Sequence, residues 1–68
     1  MELNTKQGVA VSEEVLQAWH RHSQACEGWN EGTIAEYWHD ENGHLCIRYE
    51  SGNWWHYKNI GTPEFIYW

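Results

Sequence analysis

Residues 33–58 read TIAEYWHDENGHLCIRYESGNWWHYK, and the punctuation of this stretch decides the fold. Aromatic and β-branched residues dominate 33–40, 44–50 and 53–58, with Asn42-Gly43 and Ser51-Gly52 standing between the runs. Such runs, separated by turn residues, predict strands joined by tight hairpins. A three-residue loop whose glycine takes the left-handed conformation is a common hairpin solution. Applied to both turns, it pairs Asp40 with His44 and Tyr49 with Asn53. Side chains alternate along a strand, so Ala35, Tyr37, Leu45, Ile47, Tyr49, Trp55 and Tyr57 share one face in this register. Glu36, Trp38, His44, Cys46, Arg48, Trp54 and His56 share the other. The first set is the expected core face. On the second, Glu36 faces Arg48 as a cross-strand ion pair, an arrangement that contributes about 0.2–1 kcal/mol. Two-residue turns would instead shift the pairing and set Trp38 beside Ile47.

Toward the N-terminus the pattern is helical. Ser12 is a preferred N-cap, Glu13 and Glu14 follow where the helix dipole favours negative charge, and Val11 and Leu16 are spaced as a hydrophobic staple. Steps of about 100° per residue place Val15, Leu16, Trp19, His22, Ser23 and Cys26 on one stripe, with Gln17, His20, Arg21 and Gln24 opposite. Gly28 is the expected stop, so the helix is predicted over 13–27. Residues 1–11 read as an arm, with an extended segment around Val9 and Val11. On the C-terminal side, Gly61-Thr62-Pro63 precedes 64–68, which has the composition of a fourth, terminal strand. The prediction is one small α+β domain: arm 1–11, helical segment 12–28 and meander 32–68. Its helix packs on a three- or four-stranded antiparallel β-meander, with curling towards a small barrel as the variant.

A chain of 68 residues closes a single core and buries roughly 60% of the surface exposed when unfolded. Six Trp, four Tyr and one Phe, 16% of the residues, make that core aromatic and leave rings over for the surface. Ten acidic residues against four basic ones give a net charge of −6, which disfavours phosphate backbones and hence nucleic acid. Lys6, Arg21, Arg48 and Lys58 do not cluster in the sequence, and there is no apolar run of the roughly 18 residues a bilayer span requires. The first residues lack the basic and apolar segments of a secretory signal, so a soluble, cytoplasmic protein without membrane contact is expected. The two cysteines, Cys26 and Cys46, are expected as reduced, buried thiols.

Three groups of residues carry candidate chemistry. His44, Cys46 and His56 converge on one face in the preferred register and resemble a three-ligand zinc set. With no Cys-x-x-Cys or His-x-x-x-His pair beside them, the histidines are expected to pair with acidic or aromatic neighbours, and neither metal nor cofactor is expected. His22 and Cys26, four apart on the helix, continue its core stripe. A Cys46–His56 nucleophile lacks an electropositive setting and an oxyanion hole, and a thin sheet under one helix leaves little room for a cleft. No catalytic residue is therefore assigned. Asp40 and Glu41 beside a turn are expected to be solvated.

The broader signal is aromatic. Trp38, Arg48, Trp54 and His56 form an expected binding surface on the face away from the helix, because Trp and Arg are enriched at interface hot spots. Coverage of that face by the arm or by the C-terminal segment is the competing arrangement. Gly52-Asn53-Trp54-Trp55-His56-Tyr57, followed by Gly61, resembles the aromatic hairpin of choline-binding cell-wall repeats, where rings cage a quaternary ammonium. Those proteins stack several copies and are exported, whereas this sequence carries one copy, so no ligand is carried over. The expected function is a small non-enzymatic binding or regulatory module, of bacterial or phage type, for a protein partner or self-association. Carbohydrate or small-ligand binding by exposed Trp residues is the first alternative, and a small zinc-binding domain the second.

Overall fold

The computed structural model describes residues 12–68. Helix α1, Glu13–Ala25, is followed by β1 (Ile34–His39), β2 (Leu45–Tyr49), β3 (Trp54–Lys58) and β4 (Ile66–Tyr67). The strands form one antiparallel sheet in the order β1-β2-β3-β4, and the sheet is open rather than a barrel. The expected arm, and with it Val11 of the expected staple, lies outside the described residues.

Turn chemistry sets the register. Gly43 and Gly52 sit at φ +80° and +96°, a region where a side chain would be strained. Their N–H groups donate to the carbonyls of Asp40 and Tyr49, each at 2.9 Å, closing both three-residue loops. Glu36 accordingly faces Arg48, Tyr37 faces Ile47, and Cys46 faces both Trp38 and His56. The predicted pairing holds along the whole β1–β2–β3 ladder except at its start. There Ile34 pairs with Tyr49 and Glu36 with Arg48, leaving Ala35 as the extra residue of a β-bulge. The bulge reverses the alternation, so Ile34 enters the core cluster in place of Ala35, which was expected there.

Ser12 caps α1 as expected, its side chain accepting from the Val15 N–H at 3.4 Å. The helix ends two residues earlier than predicted because Cys26 turns extended, at φ −98° and ψ 115°. Its buried stripe is Val15, Ala18 and His22, with Leu16 and Trp19 half-buried at the flanks. The small Ala18 permits close approach of the helix to Ile47, Tyr49 and Tyr57, whereas Leu16 or Trp19 at that position would hold it off. Arg21 ties the outer side of α1 to the chain after β3. It donates to the Thr62 carbonyl at 2.6 Å and lies over the Phe65 ring at 4.7 Å.

His22 is buried in a ring of aromatics. The centroids of Tyr67, Trp55, Trp29 and Tyr57 lie 4.0, 4.8, 5.0 and 5.5 Å from its own. Its Nδ1 is 2.6 Å from the Tyr57 hydroxyl, which is 2.9 Å from that of Tyr49, so the three polar groups satisfy one another in the core. Desolvation outweighs the attraction of Glu31 and pushes the His22 pKa below its ordinary value, favouring the neutral ring. Burial likewise raises both tyrosine hydroxyls and keeps them protonated.

Candidate functional site

The sheet carries its second aromatic group on the face away from α1. Arg48 and Trp54 are cross-strand partners, as are Trp38 and Cys46, and Cys46 and His56. Trp38 and Trp54 meet diagonally with centroids 5.3 Å apart, and Trp54 meets His56 at 4.9 Å. Arg48 is ion-paired with Glu36, which orients its guanidinium across β1 and β2. All four residues expected to bind, Trp38, Arg48, Trp54 and His56, thus fall on one continuous surface. Trp54 remains 47% exposed and Trp38 is half-buried.

Part of this face is covered by the chain itself. Past β4, Trp68 exchanges backbone hydrogen bonds with His56 at 2.9 and 3.2 Å, which extends the ladder by one residue. The Trp68 ring stacks on His56 at 4.9 Å with 3° between the planes, and meets His44 edge-on at 5.1 Å. The C-terminal strand therefore caps the His44 and His56 end and leaves the Trp38, Arg48 and Trp54 end accessible. Coverage by the C-terminal segment, the competing arrangement for this face, is thus realised in part, by Trp68 alone at the His44 and His56 end, and it depends on the path of the turn after β3. Asn59 makes that turn in the left-handed region, and its side chain donates to the Glu64 carbonyl at 3.3 Å.

Beneath the cap lies a polar cluster. Asp40 Oδ1 accepts the backbone N–H of Asn42 and of His44, each at 2.9 Å. Oδ2 points the other way, 3.7 Å from His44 Nδ1 and 3.9 Å from His56 Nε2. The His44 N–H, then that of Asn42, then the two imidazoles hold the Asp40 carboxyl below its usual range against some desolvation. Cys46 Sγ completes the group: donor atoms of Asp40, Cys46 and His56 all lie within 4.8 Å of one another. Cys46 is fully buried, and burial first, then the Asp40 charge, pushes its thiol up. Both histidines thus have the acidic and aromatic neighbours expected of them. Asp40 is not simply solvated: the turn uses one of its oxygens and the sheet face the other.

Cys26 and Cys46 are both free thiols. His22 and Cys26 lie on the helix side and do not join the Cys46 group. A groove of about 500 Å³ runs between the start of α1 and the β1–β2 turn, larger than expected, lined by Glu13, Glu14, His44, Lys58 and Asn59 among others. Among the described residues no helix is long and apolar enough to cross a membrane. No protein-family model matches this chain, and no curated protein or solved structure does either, so the functional reading rests on the side chains themselves.

Proposed function

We propose that this chain is a non-enzymatic, cytoplasmic binding module whose outer sheet face, centred on Trp38, Arg48 and Trp54 with His56 at its edge, docks a basic protein partner. The observation that carries this reading is the exposed end of the aromatic row. Trp54 and Trp38 lie together on a rigid sheet beside an oriented arginine, and Trp54 is about half in water. Exposed aromatic patches on soluble domains commonly mark interaction surfaces, and Trp and Arg supply most hot spots. Charge favours a basic partner over a second copy. A net −6 repels its own kind and attracts positive surfaces. The ring planes of Trp38 and Trp54, and of Trp54 and His56, differ by 46° and 47°, which supports a faceted protein interface over a flat sugar platform.

Trp54→Ala is the test. Binding to a captured basic partner should weaken by about 2 kcal/mol or more, roughly 30-fold, with the melting temperature nearly unchanged. Raising the ionic strength should slow association. Unchanged capture by the variant, or a large loss of stability with capture intact, would refute the interface.

A further inference from the structure

The geometry points to a site for one thiophilic divalent ion, of the zinc or cobalt type, held by Asp40 Oδ2, Cys46 Sγ and His56 Nε2 with water in the fourth position. This goes beyond the docking face and does not depend on it. The spacing is the first argument. The separations of 3.7 and 3.9 Å from Asp40 Oδ2 to the two imidazoles are too long for hydrogen bonds. Donors about 2.0–2.3 Å from a tetrahedral ion stand about 3.3–3.7 Å apart, so an ion would draw in the 3.9 Å Asp40–His56 pair and the Cys46 sulfur, which lies within 4.8 Å of both, by up to about 1 Å.

Orientation is the second. Backbone N–H groups hold the Asp40 carboxylate through Oδ1, so Oδ2 is aimed inward without any metal. His56 turns Nδ1 towards the Trp68 carbonyl at 3.5 Å, the outer partner that a ligating histidine ordinarily has. With its proton on Nδ1 the ring would offer the Nε2 lone pair to an ion on the Asp40 side. The stacked Trp68 ring limits rotation of His56. Cys46 sits at the centre of the row between Trp38 and His56, with its side chain on this face.

Charge is the third. Asp40 and Cys46 place their ligand atoms within 4.8 Å of one another, so a single dication between them can neutralise a carboxylate and a thiolate together. A mixed sulfur, nitrogen and oxygen set favours zinc-like ions over calcium or magnesium. Loading transfers the thiol proton to solvent as the Sγ–metal bond forms.

Cobalt titration of the reduced full chain, purified without a histidine tag and stripped with chelator, reads the site directly. One Co²⁺ per chain should bind with the intense visible bands of tetrahedral coordination and a thiolate-to-cobalt charge-transfer band in the near ultraviolet. Cys46→Ser should abolish the charge-transfer band, and Cys26→Ser should leave it. Because a buried Cys46→Ser chain could lose its fold, Asp40→Asn and His56→Gln give independent tests, each checked by circular dichroism. Asparagine retains the turn acceptor while replacing Oδ2. Each variant should weaken zinc binding by more than the roughly 10–100-fold expected for losing an outer-shell partner. The site is refuted by the absence of a charge-transfer band in the parent chain. It is equally refuted by a band that follows Cys26, or by zinc affinity unchanged in both Asp40→Asn and His56→Gln. These readouts contain no partner protein, so their failure leaves the docking face standing.

Discussion

Tyr57→Phe removes one oxygen atom from the core, and the structure gives it a large effect. That oxygen lies 2.6 Å from His22 Nδ1 and 2.9 Å from the Tyr49 hydroxyl, and the three residues are 1% exposed or less. Whichever way the protons run, Tyr57 is the middle member, so its loss leaves two buried groups without partners. Each such orphan costs about 1–3 kcal/mol, giving a total of about 2–6 kcal/mol. At 0.05–0.15 kcal/mol per residue the whole domain is stable by only about 3–10 kcal/mol, so the variant should be close to unfolding. Tyr49→Phe removes a terminal member and leaves Tyr57 bonded to His22, for about 1 kcal/mol. The double variant has one orphan, His22, and should be more stable than Tyr57→Phe alone. Urea unfolding followed by tryptophan fluorescence measures all three. A Tyr57→Phe loss no larger than that of Tyr49→Phe, or a double variant with simply additive losses, would refute the chain of hydrogen bonds.

The same histidine makes stability depend on pH. The unfolded chain takes up a proton near pH 6.5, while buried His22 resists it, so between the two pKa values the unfolded state binds more protons. The His22 contribution is full above about pH 6.5 and falls as pH drops through that value towards the lower folded one; a melting temperature insensitive to His22→Gln in its pH slope would contradict this. Trp19, only half-buried, should cost roughly 1.5–2.5 kcal/mol on Trp19→Ala, about half the loss of a fully buried ring, whereas Ile47→Ala at the sheet centre should cost about 2–5 kcal/mol. Thermal melts that rank Trp19→Ala well above Ile47→Ala would show that the helix sits differently on the sheet. A double-mutant cycle on Glu36 and Arg48 should return a coupling of about 0.2–1 kcal/mol that shrinks with added salt. A coupling unaffected by salt would place the pair in a drier setting than the open face provides.

The sequence by itself determined the pairing of the three long strands, because hairpin register is a local matter. Gly43 and Gly52 close loops that contain only three residues, and alternation then assigns every side chain from Glu36 to Tyr57 to a face. It also determined the start of α1, where Ser12 bonds to a residue three positions away. What tertiary structure alone decided lies at longer range. The bulge that brings Ile34 inward answers to the position of Tyr49 across the sheet, and no local signal at Ala35 marks it. The rotation of the helix onto Ala18 and His22 depends on which residues the sheet presents beneath it, since the stripe of apolar residues alone admits several orientations. The outer face is the clearest instance. His44, Cys46 and His56 were legible as neighbours, but Asp40 joins them through an oxygen freed by its own turn, and Trp68 caps them only because the chain after Asn59 returns alongside β3. Spacing along the chain fixes which residues share a strand face. The direction of a carboxylate's second oxygen, and the neighbour supplied by a distant segment, are fixed only when the whole fold is assembled.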